Sequence, residues 1–222
     1  CALADSVKAW RRYGFRFDEN TGESQIYDKS EHVFQICKDI TIKKHHTDRW
    51  QQAIMEMVGG KWKKEEYILG YRPKSKLKYD LGLNWQVGSK WPNKAWPKEN
   101  WDRLGELLEG KFSYSLQQGE NDIREYIEWV NSCRLLVTAD SLGQHIALAL
   151  KRNVLILYGP TNPNETYLYN RGRELLPEVG YNCIPCLKNK CFHKVSCMHY
   201  ISPERVAKEI ASFFHRKKRR TR

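Results

Sequence analysis

The chain has 222 residues, 41% of them hydrophobic, and a mean hydropathy of −0.72. It can bury the core of one large domain or two small ones, and it is not an integral membrane protein. Its longest purely apolar run, residues 154–158, is far short of the roughly 20 residues that a spanning helix needs. The opening residues lack the charged-then-apolar pattern of a signal peptide, and a first residue of Cys1 in place of Met points to a fragment. The formal net charge of +12 favours anionic partners: nucleic acid, anionic lipid or phosphorylated compounds. Six basic residues in 216–222 supply half of that excess. Without them the charge is unremarkable, so nucleic acid is not required. The tail reads as a frayed helix end that could hold a protein near anionic headgroups.

Residues 1–75 are the least regular. Residues 18–31 are polar and turn-rich, 48–58 read as a helix ending at Gly59-Gly60, and 71–78 (YRPKSKLK) read as a linker. From residue 78 short apolar runs alternate with amphipathic stretches. Strands are expected at 79–85 (YDLGLNW), 112–116, 134–138 (RLLVT) and 154–158 (VLILY). Helices are expected at 97–108, 121–133 and 141–150. Trp101, Leu104, Leu107 and Leu108 share one face of the first, and Ile123, Tyr126, Ile127 and Val130 form the stripe of the second. Such alternation indicates βαβ units and a parallel sheet. The loops after the strands then gather on one edge, where ligands bind in sheets of this kind. Beyond Gly159 the chain turns irregular and then cysteine-rich. A helix over 202–214 closes it, with Ser202 as N-cap and Pro203 in its first turn. The expected division is 1–75, a first-domain remnant and linker; 76–200, the α/β domain with its cysteine loop 181–200; and 201–222, the closing helix and tail.

Four loops carry candidate chemistry. In 84–96 (NWQVGSKWPNKAW), Gly88 permits close backbone approach, Ser89 offers a hydroxyl and an amide, and Lys90 and Lys94 place positive charge beside a helix start. An anion site is physically natural there, and a surface loop with two solvated lysines accounts for the spacing equally well. In 138–145 (TADSLGQH), Asp140 and Ser141 suit a helix cap. Gly143 in the first turn costs about 1 kcal/mol against alanine, which suggests a need for space, and His145 lies on the same turn. Residues 158–163 (YGPTNP) form a stiff loop on the same edge, or a plain turn. In 117–120 (QQGE), Glu120 occupies the place of a carboxylate that accepts ribose hydroxyls after a Rossmann strand, or is merely a capping acid.

Seven cysteines are present. An odd number with no secretion signal argues for a reducing compartment. Four of them, Cys183, Cys186, Cys191 and Cys197, fall within fifteen residues and resemble a four-thiolate zinc knuckle, with His193 and His199 nearby. Such zinc would be structural. Two disulfides, or free thiols, are the alternatives.

Taken in order, GSKWPNKAWP, the Gly119-Glu120 pair, DSLGQHIALAL, LYGPTNP and the Cys-x-x-Cys with CMHYISPERV resemble the C-terminal half of glycosyltransferase family nine, the ADP-heptose:lipopolysaccharide heptosyltransferases. The resemblance spans about residues 79–210. It implies a GT-B fold of two facing Rossmann-like domains, of which this chain holds the second and part of the first. It implies Ser89 and Lys94 as donor-phosphate ligands, Glu120 on the donor nucleoside, and Asp140, Ser141, Gly143 and His145 around the pyrophosphate and sugar. Leu142 departs from the family, which usually has glycine there. The implied activity is inverting, metal-independent transfer of a sugar from a nucleotide-diphosphate donor, ADP-heptose or similar, to a lipopolysaccharide or other glycan acceptor. No cofactor would serve catalysis. The enzyme would be bacterial and cytoplasmic, with peripheral contact at the inner membrane. The family's catalytic base is an aspartate near the start of the first domain and has no counterpart here, so the catalytic residue is expected in a missing upstream segment. A non-catalytic nucleotide- or glycan-binding module is the rival reading. A basic RNA-binding protein with a zinc knuckle is a weaker one, because most tryptophans occupy core-like helix positions.

Overall fold

The computed structural model describes residues 6–119 and 122–220. Two compact units are present. One runs to Glu65 and takes in Asn162–Tyr167; the other comprises Glu66–Thr161 and the chain from Leu168 onward.

The first unit holds an antiparallel hairpin, β1 (Phe15–Asp18) and β2 (Glu23–Ile26), followed by α1 (Glu31–Lys38), α2 (Ile40–His45) and α3 (Trp50–Met57). Only α3 was expected from the sequence. The hairpin hides in a polar, turn-rich stretch because none of its strand residues is fully buried and they supply no alternating apolar signal. Arg49 fixes residues 162–167 to this unit by donating to the carbonyls of Pro163, Asn164 and Thr166 at 3.3, 2.5 and 3.0 Å.

The second unit is a five-stranded parallel sheet with helices on both faces. Its elements are β3 (Tyr79–Asn84), α4 (Lys98–Leu108), β4 (Tyr114–Leu116), α5 (Ile123–Asn131), β5 (Cys133–Ala139), α6 (Leu142–Ala149), β6 (Asn153–Leu157), β7 (Gly172–Leu175) and α7 (Pro203–Arg220). The strand order is β4-β3-β5-β6-β7, every neighbouring pair parallel. Covered strands must be apolar on both sides, and period-two alternation then divides them between two cores. Leu81, Leu83, Leu135, Val137, Leu155 and Leu157 meet Trp101 and Leu104 of α4 and Val206 and Ile210 of α7 on one face. Leu136, Val154 and Ile156 meet Tyr126 and Val130 of α5 and Ile146 and Leu148 of α6 on the other. The four expected strands and the helices between them are all present. Cys133 opens β5 instead of ending α5. The fifth strand, β7, was not expected: it lies at the sheet edge, only Leu175 of its four residues is buried, and three residues out of four carry no core signal.

Residues 66–75 belong to the second unit, not to a free linker. Tyr67 Oη lies 3.0 Å from His145 Nδ1. The Glu128 carboxylate on α5 accepts from Tyr71 Oη at 2.6 Å, from the Lys74 amide at 2.9 Å and from the Ser75 amide at 2.7 Å.

These donors, Tyr71 first, hold the Glu128 carboxyl at about 2, below its ordinary 4.5. A depressed carboxylate stabilises the fold fully above the unfolded value and loses that contribution as pH falls towards the folded one. Between pH 4.5 and 2 the wild-type chain is therefore expected to lose stability more steeply than Glu128→Gln, measured by urea unfolding at several pH values; identical slopes would contradict the pinning. In the core, Leu155→Ala is expected to lower the unfolding free energy by about 2–5 kcal/mol in the same assay.

Candidate functional site

The first and third strands of the unit, β3 and β5, are neighbours, while the second, β4, lies outside β3. Connections from β3 and β5 therefore leave in opposite directions and open a crevice beyond their carboxyl ends, the usual ligand position in such sheets. A cleft of about 520 Å³ occupies that place. Its walls come from the loop after β3 (Gly88, Lys90, Trp91, Lys94), from Gln117 after β4, from Asp122 at the cap of α5 and Ile123 and Tyr126 within it, and from Asp140, Ser141 and Leu142 after β5.

Lys94 closes a short 3-10 turn, Pro92–Lys94. Its Nζ donates to Asp140 Oδ2 at 2.7 Å, with both side chains 18% exposed. The ammonium also lies 5.1 Å from the centroid of the Trp91 ring, close enough for a cation–π attraction. The other Asp140 oxygen accepts from Gln144 Nε2 at 2.8 Å. Two loops some fifty residues apart in sequence thus meet through one half-buried ion pair.

Ser141 sits at the N-cap of α6 with an extended backbone, but its side chain caps nothing. Its hydroxyl turns inward, 3.1 Å from Thr138 Oγ1, and accepts from Asn84 Nδ2 at 3.2 Å. Asn84 also donates to Thr138 Oγ1 at 2.7 Å and accepts from Tyr126 Oη at 3.0 Å. The first turn of α6 therefore reaches the cleft with no side-chain cap, and the partial positive charge of a helix start is left to solvent or ligand. Ser141 thus holds the cap position that suited it in the sequence, but its hydroxyl is diverted into a partly buried network, and the Asp140 carboxylate goes to Lys94 and Gln144. Gly143 is buried over that network. A Cβ on it would lie 2.5 Å from Tyr126 Oη and 2.7 Å from Asn84 Nδ2, so the space it provides admits the network and not a ligand.

Of the expected donor residues, Lys94, Asp140 and Ser141 line the cleft. Ser89 is exposed in a turn between the lining residues Gly88 and Lys90. His145 lies behind the helix start, between Tyr67 Oη at 3.0 Å and Gln144 Nε2 at 3.3 Å, and burial lowers its pKa. Glu120 falls outside the described residues. Sequence reasoning missed Asn84, Trp91, Asp122 and Tyr126. A polar residue ending an apolar strand was the available signal for Asn84; Tyr126 was read only as core. The exposed Leu142 side chain stands at the cleft's rim.

The thiols of Cys183, Cys186, Cys191 and Cys197 are free of disulfides. Burial, and then the charges of Cys186, Cys191 and Cys183, push the Cys197 thiol up to about 11, so the four sulfurs share one neighbourhood. Cys186 Sγ accepts from Asn93 Nδ2 at 3.7 Å, and Cys183 Sγ lies 3.6 Å from His193 Nε2. Among the described residues, however, no three His, Cys, Asp or Glu side chains converge on a common metal position; the expected closed four-thiolate cage is not assembled. The basic side chains beyond residue 215, on which the expected membrane contact rests, lie outside the described ones. No helix among the described residues is long and apolar enough to cross a membrane.

A parallel doubly wound sheet with a basic, uncapped helix start at its switch point defines a Rossmann-like ligand-binding unit. Residues 118–196 match the model of glycosyltransferase family 9 (heptosyltransferase). The chain is 32% identical to lipooligosaccharide heptosyltransferase 2 of Campylobacter jejuni, over 92% of its own length and 69% of that protein. It is 27% identical to lipopolysaccharide heptosyltransferase 1 of Pseudomonas aeruginosa, over 55% of its length and 45% of that protein. The chain belongs to glycosyltransferase family 9. It spans about half to two thirds of the length of these relatives. Its fold is shared with the dodecameric iron-containing heptosyltransferase TibC, solved in complex with ADP-D-beta-D-heptose, at a TM-score of 0.60 and 14% identity over 93% of this chain and 59% of that one.

Gly143→Ala is expected to destabilise the unit by about 1–3 kcal/mol through overpacking, measured by denaturant unfolding. The loss should shrink when Tyr126→Phe removes the nearest clashing oxygen; an undiminished loss would place the clash elsewhere.

Proposed function

We propose that this chain forms the donor-holding part of a heptosyltransferase that transfers heptose from an ADP-linked donor to a lipopolysaccharide-type acceptor. The observation that carries the reading is the meeting of Lys94, Asp140 and the uncapped start of α6 in one cleft. Family membership, the relatives' names and the ADP-heptose complex of the TibC relative support it.

In this reading the donor diphosphate lies across the first turn of α6, where the amides of Leu142 and Gly143 and the ammonium groups of Lys94 and Lys90 oppose its charge. As the bond between the anomeric carbon and the phosphate oxygen breaks, charge grows on the leaving diphosphate. The lysines and the helix start stabilise that charge in place, without a catalytic metal. Lys94 must first loosen from Asp140, or be shared between the carboxylate and a phosphate oxygen. Gln144 holds Asp140 at the edge of the cleft in either case. The acceptor hydroxyl attacks the anomeric carbon from the face opposite the diphosphate, which inverts that centre. Among the described residues both carboxylates lining the cleft are engaged at rest, Asp140 with Lys94 and Asp122, as the cap of α5, with the Arg124 amide. We therefore place the base outside this cleft. Ser89, Glu120 and His145 remain assigned to the donor's surroundings, Ser89 at the phosphate loop, Glu120 towards the nucleoside and His145 as support for the helix start.

We also assign a structural metal, zinc in the first instance, to Cys183, Cys186, Cys191 and Cys197. Four clustered thiols suit such an ion, and the Asn93 amide beside Cys186 is the kind of outer hydrogen bond that orients a ligating thiolate. Their side chains would have to rotate inward to enclose it. When bound, the ion ties a loop with little core of its own and takes no part in transfer.

Lys94→Ala is expected to weaken ADP binding by about 1–3 kcal/mol, the worth of a charge-assisted hydrogen bond, in titration calorimetry; unchanged affinity would refute the donor assignment. Elemental analysis for zinc and iron is expected to return one metal ion per chain, and a folded, metal-free protein with four reactive thiols would refute the metal.

A further inference from the structure

One buried side chain joins the two parts of the molecule that the proposed function treats separately, the donor loop and the cysteine loop. Asn93 immediately precedes Lys94 and is 8% exposed. Its Nδ2 donates to the Lys188 carbonyl at 3.0 Å and to Cys186 Sγ at 3.7 Å. Its backbone amide donates to the Asn189 carbonyl at 3.3 Å, and its Oδ1 accepts from Ser196 Oγ at 3.4 Å. Every one of these partners lies in residues 181–200. On the other side of Lys94, Trp96 Nε1 donates to the Ile201 carbonyl at 2.9 Å. The backbone that carries Lys94 is thus bracketed by ties to the far segment and makes only a single 3-10 turn between them.

A turn of three residues has little stiffness of its own. The only buried polar side chain in it is spent on the cysteine loop, and a buried amide satisfied on both its oxygen and its nitrogen fixes the backbone that bears it. We propose that Asn93 is a positioning residue: it transmits the arrangement of the cysteine loop to Lys94 and sets the place of the ammonium over the anion cleft. Disorder in residues 186–196 then lowers nucleotide affinity without any contact between that loop and the nucleotide. The inference rests on the donor-binding reading of the cleft.

The test is a double-mutant cycle on the full 222-residue chain, with ADP as the probe in titration calorimetry and thermal unfolding to confirm the fold of each variant. Asn93→Ala is expected to weaken ADP binding roughly three- to tenfold, in the range of coupled neighbours. In the Lys94→Ala background the same substitution is expected to change nothing, because there is no longer an ammonium to position. A merely structural role would lower affinity by the same factor in both backgrounds, and that result overturns the inference, as does an unaltered affinity for Asn93→Ala alone. Should Asn93→Ala fail to fold, Asn93→Ser, whose hydroxyl is too short to reach the Lys188 carbonyl, takes its place in the cycle. If Lys94→Ala itself binds ADP as the wild type does, the donor reading fails first and this inference falls with it. If Lys94→Ala weakens binding and Asn93→Ala does not, only the positioning claim fails.

Discussion

The ion pair between Lys94 and Asp140 is the contact on which the site depends. It brings the loop after β3 to the loop after β5, across the point where the sheet reverses its winding. Its two members are shielded enough from water for the attraction to exceed that of an exposed pair, which contributes little. An ammonium already matched by a carboxylate is also oriented: the pair keeps it 2.7 Å from Asp140, at the wall of the cleft. The cost is a weaker net field than an unpaired lysine would give. Lys90 and the uncapped helix offset that cost.

Behind the ion pair stands a layer with no charge. Asn84, Thr138, Ser141 and Tyr126 satisfy one another in the interior, and the missing side chain of Gly143 leaves room for them. Buried polar groups of this kind are costly when left unpaired, so the network resists displacement and holds the Ser141 hydroxyl away from the cap. The helix start is open to the cleft because a strand-end asparagine and a helix tyrosine keep it so. Gly143 and Tyr126 together shape the floor of the site.

Much of this was legible in the chain. Runs such as RLLVT and VLILY are too apolar to be covered on one face only, and their spacing with amphipathic stretches fixed a parallel sheet with ligand loops on one edge. That Lys94 and Asp140 face one site was implied by the resemblance; that they pair with each other was not. Three things were not legible. β7 and the N-terminal hairpin bury too few residues to leave a periodic trace. The inward turn of Ser141 depends on Asn84, more than fifty residues away, and a local cap is the default expectation for such a serine. Asn93 looks like an ordinary turn residue in PNK, and only its partners in the cysteine loop, about a hundred residues on, show that it is buried. Each omission is a long-range polar contact or a weakly buried edge, where local pattern carries no information.

In the proposed function a nucleoside diphosphate sits between Lys94 and the first turn of α6. Titration of the isotope-labelled chain with ADP, followed by amide chemical shifts, is the decisive measurement. Saturable shifts are expected to concentrate at Ser141, Leu142, Gly143 and the 88–94 loop, with the Trp91 indole moving alongside. Shifts confined to other surfaces, or no saturable shifts at all, would overturn that placement.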